Sequence, residues 1–200
     1  MARLHHLLLL LVLAFLLSAS AASAAPADVE FIRSSCRSTR YPALCLQCLA
    51  GYATAIRRSP RQLACTALNV TLSRAQSASA FVGRAAAGAG SGSRASSRSR
   101  GSGAVRDCIQ TVGDSVDQLR RSLKELARIP RRGSPEFAWH LSNAQTWVSA
   151  ALTDDTTCLD GIADAKVDPH LRAAIRGRIL ELAQVTSNAL ALINRMAGPH

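Results

Sequence analysis

The sequence predicts an all-α protein: an up-down-up-down four-helix bundle with an N-terminal α-helical hairpin, stapled by disulfides. Three observations carry this prediction. Apolar residues recur at steps of three and four over long segments, the spacing of one helix face. Strand signals are nearly absent, with aromatic residues at 4% of the chain and no sustained alternation of β-branched residues. The six cysteines fall into mirror-related pairs about turn-like centres. Cys108 lies 25 residues before Gly133 and Cys158 lies 25 after it, with Pro130-Arg131-Arg132-Gly133-Ser134-Pro135 at the centre. Cys36 and Cys45 are symmetric about Arg40-Tyr41, and Cys48 and Cys65 about Ile56-Arg57. If each centre is the turn of an antiparallel helical pair, residues equidistant from it face one another within reach of a disulfide. Cys36–Cys45 and Cys108–Cys158 are therefore expected bridges, while Cys48–Cys65 rests on symmetry and elimination alone.

Each element has its own local signal. Residues 1–24 read as a signal peptide: a basic start at Arg3, an unbroken apolar run of eleven residues from Leu7 to Leu17, and Ala22-Ser23-Ala24 as a cleavage site. Eleven residues are too few to cross roughly 30 Å of hydrocarbon, so export is expected and no membrane anchor. Residues 25–58 form the hairpin, two short helices broken at Tyr41-Pro42. Residues 59–200 form the bundle domain. Its first helix starts at Ser59-Pro60 and carries Leu68, Leu72, Ala75, Ser79 and Val82. Residues 88–103 are almost entirely Gly, Ser, Ala and Arg and read as a flexible loop. Val105, Ile109, Val112, Val116, Leu119, Leu123 and Leu126 then make an unbroken stripe, the seam of a bundle. Ser134-Pro135 opens the third helix as N-cap and first helical residue, with Phe137, Leu141, Ala144, Val148 and Ala151 as its stripe. Asp168-Pro169 opens the fourth, with Leu171, Ile175, Ile179, Leu182, Thr186, Leu190 and Ile193.

Two properties bear on partners. The net charge is +11, and apart from Lys124 and Lys166 the basic residues are arginines. Such a charge favours polyanions. An exported chain is not expected to meet nucleic acid, so acidic carbohydrate is the better partner, beside the plainer reading of a solvated, arginine-biased surface. Asn69-Val70-Thr71 is an N-glycosylation sequon, consistent with export.

No enzyme can be argued from the residues. Cys45-Leu46-Gln47-Cys48 has the CxxC form, but the chain lacks the βαβ context of a redox site and the further ligands of a zinc site. His140, His170 and His200 belong to no recognisable triad or metal motif. Asp154-Asp155 are adjacent, so their side chains diverge, and a surface role is expected for both. No metal and no cofactor are expected.

A family resemblance covers essentially all of the chain after the signal segment. The Cys36 to Cys45 hairpin with Tyr41-Pro42, the Asp107-Cys108 helix start, and the run from Gln145-Thr146-Trp147 through Asp154 to Thr157-Cys158-Leu159-Asp160-Gly161 resemble plant invertase and pectin methylesterase inhibitors. The resemblance implies a four-helix bundle with an N-terminal hairpin and the same two bridges, Cys36–Cys45 and Cys108–Cys158. Cys48 and Cys65 depart from the family's four-cysteine pattern. It also implies one of two activities on one scaffold. Invertase inhibitors of the family open the third bundle helix with Pro-Lys-Phe. Here the tripeptide is Pro135-Glu136-Phe137, which reverses the charge offered to an acidic active site. The run from Gln145 to Gly161 is also more similar to the pectin methylesterase inhibitors.

What this implies is a secreted wall protein that blocks the cleft of a plant pectin methylesterase in a one-to-one complex. No catalytic domain follows His200, so a free-standing inhibitor is expected rather than a pro-region. The alternatives are an invertase inhibitor and a non-inhibitory wall protein that adheres to acidic pectin. The face of the second and third bundle helices is the expected contact surface, with Asp114, Asp117, Gln118, Gln145, Thr146 and Ser149 as polar positions off the stripes.

Overall fold

A computed structural model describes residues 26–89, 95–130 and 132–198. The expected signal segment at 1–24 and the terminal His200 lie outside the described residues. Helices α1 (Pro26–Cys36) and α2 (Pro42–Leu49) form the hairpin, followed by a 3-10 turn (Ala50–Tyr52) and the single-turn α3 (Ala53–Ile56). The bundle follows: α4 (Pro60–Ala89), α5 (Ala95–Arg128), α6 (Pro135–Ala163) and α7 (Pro169–Asn194), with a closing 3-10 turn (Arg195–Ala197). Each bundle helix packs on the next and α4 packs on α7, which closes the four into a ring; α5 and α6 are the most intimately packed.

The starts are set by local chemistry. Ser134 accepts a hydrogen bond from the Phe137 N–H at 3.1 Å, and Asp168 accepts one from the Leu171 N–H at 2.9 Å. A proline follows each cap, where its missing N–H costs nothing. The entry to α4 is less relaxed. Arg57 and Arg58 both sit in the left-handed region, at φ 46° and 57°, a conformation that costs a non-glycine residue about 1–2 kcal/mol.

Stripes and core agree on α5, where Val105, Val112, Val116, Leu119 and Leu126 are buried and Ile109 and Leu123 pack at the rim. On α4 the buried face is turned slightly from the expected one. Leu68, Ala75 and Val82 are buried as expected, but Thr71 and Ala78 fill the intervening positions in place of Leu72 and Ser79. The segment 88–103, expected as a loop, is helical in part. The chain is helical at Ala89 and again from Ala95, and 90–94 lie outside the described residues. Alanine and arginine are good helix formers, and extending a helix already nucleated by its apolar stripe is much easier than starting one.

Cys36–Cys45 and Cys108–Cys158 are bonded, with Cα–Cα separations of 5.6 and 4.5 Å. Cys48 and Cys65 are both free thiols, against the expected third bridge. The reason is register. Symmetry about Ile56 presumed a continuous helical pair, but the 3-10 turn and α3 take up residues in between. Cys48 instead stands beside Ala67, Val70 and Thr71 of α4 and within the field of Arg74, beyond Cys65 along that helix. The CxxC sequence is thereby divided between one bridged sulfur and one thiol, and burial pushes both free thiols above their usual pKa.

The hairpin is held to the bundle by side chains. Asn188 of α7 accepts from the Tyr41 N–H and donates to the Tyr41 carbonyl, both at 3.0 Å. Arg195 donates to the Ser35 carbonyl at 2.9 Å and to the Ser38 hydroxyl at 2.8 Å. Among the described residues no helix is long and apolar enough to cross a membrane.

Candidate functional site

The face shared by α5 and α6 begins with small residues. Ala144 and Ala151 on α6 and Ser115 and Ser122 on α5 are buried, and such side chains let two helices approach closely. Ser122 uses that proximity to donate to the Ala144 carbonyl at 3.0 Å. The seam is tied at one end by Cys108–Cys158 and at the other by the turn through Gly133, whose φ of 95° requires glycine.

Polar and aromatic groups line the outside of this seam. Nearest the turn, His140 Nδ1 lies 2.7 Å from a Glu125 carboxylate oxygen, and the Asn143 amide reaches the same oxygen at 3.5 Å. The hydrogen bond from His140 holds the Glu125 carboxyl below its usual range, against the opposing effect of burial. Further along, the Arg121 guanidinium lies over the Trp147 ring, 4.9 Å from its centroid. Beyond that, Asp154 is pushed up by burial and by the neighbouring charge of Asp114. One oxygen of Asp154 and the side-chain carbonyl of Gln118 are buried without partners.

The six expected contact residues divide between two flanks. Asp114 and Asp117 line a groove between α5 and α4 with Gln76, Ser79 and Ala80, and Asp117 pairs with Arg120 at 2.8 Å. Gln145 turns the other way, into an open bay of about 760 Å³ with Arg132, Phe137, Leu141 and Ala197. Thr146 and Ser149 face outward on α6, and Gln118 is half-buried in the seam. They do not make one patch, because a polar position off an apolar stripe can lie on either side of it.

The tripeptide Pro135-Glu136-Phe137 opens α6 at the rim of the bay. Glu136 is exposed, and hydrogen bonds from its own backbone N–H and from Ser134 hold its carboxyl below the usual range, so it presents a negative charge. Phe137 is half-buried, and Trp139 on the next turn is 66% exposed. Asn69 is exposed on α4, with its amide donating to the Cys65 carbonyl at 2.9 Å.

Sequence reasoning missed two features. It set His140 aside, although half-buried Glu125 and Asn143 accompany it. It also placed Asp155 on the surface, whereas Asp155 is fully buried. The signal was present: Asp155 continues the α6 stripe from Ala151 towards Cys158 and Ile162 at steps of four, three and four.

Comparison with known proteins agrees with this architecture along nearly its full length. A family model described as "Plant invertase/pectin methylesterase inhibitor" matches residues 30–192. "Pectinesterase inhibitor 9" of Arabidopsis thaliana is 45% identical over 96% of this chain and 92% of its own. The "21 kDa protein" of Daucus carota is 42% identical over 94% of this chain and 93% of its own. Among solved structures, a mutant pectin methylesterase inhibitor from Arabidopsis superposes with a TM-score of 0.61 over 80% of this chain and 92% of that one, at 21% identity.

Proposed function

The chain belongs to the plant invertase/pectin methylesterase inhibitor family, and from that premise we propose that it is a secreted inhibitor of plant pectin methylesterase. It acts in the cell wall, laying its bundle across the substrate cleft in a one-to-one complex and so excluding methyl-esterified pectin. The supporting observation is that chains similar to it over nearly its whole length bear the name pectinesterase inhibitor. The fold suits the task. A bundle stapled at one end of its α5–α6 seam and turned tightly at the other is ordered before it binds, so association costs little conformational entropy.

Glu136 is what disfavours the invertase reading. Its exposed negative charge at the start of α6 is the opposite of what an acidic active site attracts. Of the expected contact set, exposed Thr146 and Ser149 on α6 are the residues most open to an enzyme, while Gln118 is half-buried and Asp114 and Asp117 belong to the α4 flank. Asn69 is exposed as a glycan acceptor must be. Arginine-rich surface supports a weaker adhesion to acidic pectin.

The test is a titration of the oxidised chain into a plant pectin methylesterase and, separately, into an acid invertase, following residual activity. Stoichiometric loss of esterase activity with invertase untouched is the expected result, and Glu136→Lys should leave it unchanged. Loss of invertase activity, or salt-sensitive binding to polygalacturonate with neither enzyme affected, would overturn it.

A further inference from the structure

The centre of the bundle holds a carboxylic acid that the inhibitory reading does not use. Asp155 on α6 is fully buried, one turn before Cys158, and faces buried Ser115 of α5 and buried Thr186 of α7. The Thr186 hydroxyl lies 2.8 Å from one Asp155 oxygen and 2.9 Å from the Leu182 carbonyl. It has a single proton and so can donate to only one of them. The other Asp155 oxygen has no partner, and the Ser115 hydroxyl, although close enough to favour the charged carboxyl, makes no well-formed hydrogen bond.

Asp155 meets hydroxyls from both neighbouring helices and no cation. With Asp155 ionised, a full negative charge sits in the core facing only two hydroxyls, and one of its oxygens has no partner. With Asp155 protonated, its O–H donates to Thr186, Thr186 donates to Leu182, and the second Asp155 oxygen is free to accept from Ser115. One proton therefore joins α5, α6 and α7 in a continuous chain of hydrogen bonds.

We propose that Asp155 is a proton-operated lock of the bundle: protonated, it closes the contact between α5, α6 and α7, and ionised, it loosens that contact. The surrounding charges agree with the geometry. Burial raises the pKa of Asp155 to about 7, the hydrogen bonds from Ser115 and Thr186 oppose the rise, and the charge of its neighbour Asp154 adds to it. Asp154 is the charged group acting on Asp155, with Asp114 of α5 behind it; α7 contributes Thr186 and α5 contributes Ser115, neither of which is charged.

The sign follows from linkage. An acid whose folded pKa exceeds its unfolded value contributes stability that is complete below the unfolded pKa of 3.8 and is lost as pH rises to the folded value near 7. Within that window the contribution of Asp155 to the folding equilibrium constant falls about tenfold per pH unit and is flat above it. The lock is thus closed in mildly acid medium and open near neutrality, whatever the identity of the target enzyme.

The experiment compares denaturant unfolding of the intact, oxidised chain with that of Asp155→Asn, which stays neutral at every pH, from about pH 4 to pH 8. The ratio of the two folding constants is expected to shift on the order of a thousandfold in favour of the variant across the window. A ratio that does not change with pH would overturn the proposal. Should the variant fail to fold, the side-chain carboxyl carbon of Asp155 in the unmodified chain can be followed by NMR. A midpoint near 7 is expected, raised further in Thr186→Val, which removes a hydrogen bond that favours the charged form. A midpoint in the ordinary carboxylate range, or one that Thr186→Val leaves in place, would overturn it equally.

Discussion

Replacing Asn188 by alanine should release the N-terminal hairpin while leaving the bundle folded. Asn188 is 4% exposed, and its amide satisfies both polar groups of the Tyr41 peptide unit through two 3.0 Å hydrogen bonds. This contact stands where a side-chain cap would be expected at the start of α2, since Tyr41 makes none. Each bond contributes about 1 kcal/mol net, because Tyr41 is only half-buried and water partly replaces what is lost. The two together come to about 2 kcal/mol, roughly a 30-fold change in the equilibrium for hairpin opening. Native-state hydrogen exchange is the suitable assay, because it separates local opening from global unfolding. The Tyr41 amide should exchange about 30-fold faster in Asn188→Ala, while amides in the Val105 to Leu126 stripe change much less. Arg195→Ala should act in the same direction through Ser35 and Ser38. If the stripe amides lose as much protection as Tyr41, Asn188 serves the core as a whole and the reading of it as a tether is wrong.

Removing both sulfurs of Cys108–Cys158 should cost more than removing those of Cys36–Cys45, since the closed loops differ in sequence separation, 50 against 9. The chain-entropy relation gives about 4 against about 2–3 kcal/mol, to be read from denaturant midpoints. The denatured, unreduced chain should in addition titrate two thiols, those of Cys48 and Cys65; a count of zero would restore the third bridge. Arg57→Gly should stabilise the chain by about 0.5–1 kcal/mol, because an exposed residue in the left-handed region is exchanged for the one that adopts it freely. Equal thermal midpoints for the two chains would show that the turn carries no strain.

What the sequence made legible followed from periodicity, and what it hid followed from contacts between elements. The α5 stripe was readable because each of its members is strongly apolar, so the buried face has one solution. On α4 the true face runs through Thr71 and Ala78, which a search for apolar character passes over in favour of Leu72. The two bonded cysteine pairs were readable because each flanks a simple turn, whereas Cys48 and Cys65 are separated by a 3-10 turn and a four-residue helix that break the mirror. Asp155 was misplaced because its chemical type outweighed its position in the repeat. The contact surface was less legible still, since a polar position beside a stripe says nothing about which neighbouring helix it flanks.

Arginine shows why composition alone misleads here. A net charge of +11 invites the thought of a polyanion, yet part of that arginine is engaged by backbone carbonyls of the fold itself. Arg61 donates to the Leu126 and Ala127 carbonyls at the end of α5, and Arg132 donates twice to the Met196 carbonyl beyond α7. Arg172 reaches the Ala165 carbonyl after α6, and Arg195 the Ser35 carbonyl of α1. Helix C-termini expose unpaired carbonyls and a partial negative charge, and a planar guanidinium with several donors meets both needs at once. Arginine at these four positions is therefore explained by helix ends. Lysine substituted there should lower stability through lost hydrogen bonds while leaving the net charge, and with it any long-range attraction to pectin, unchanged.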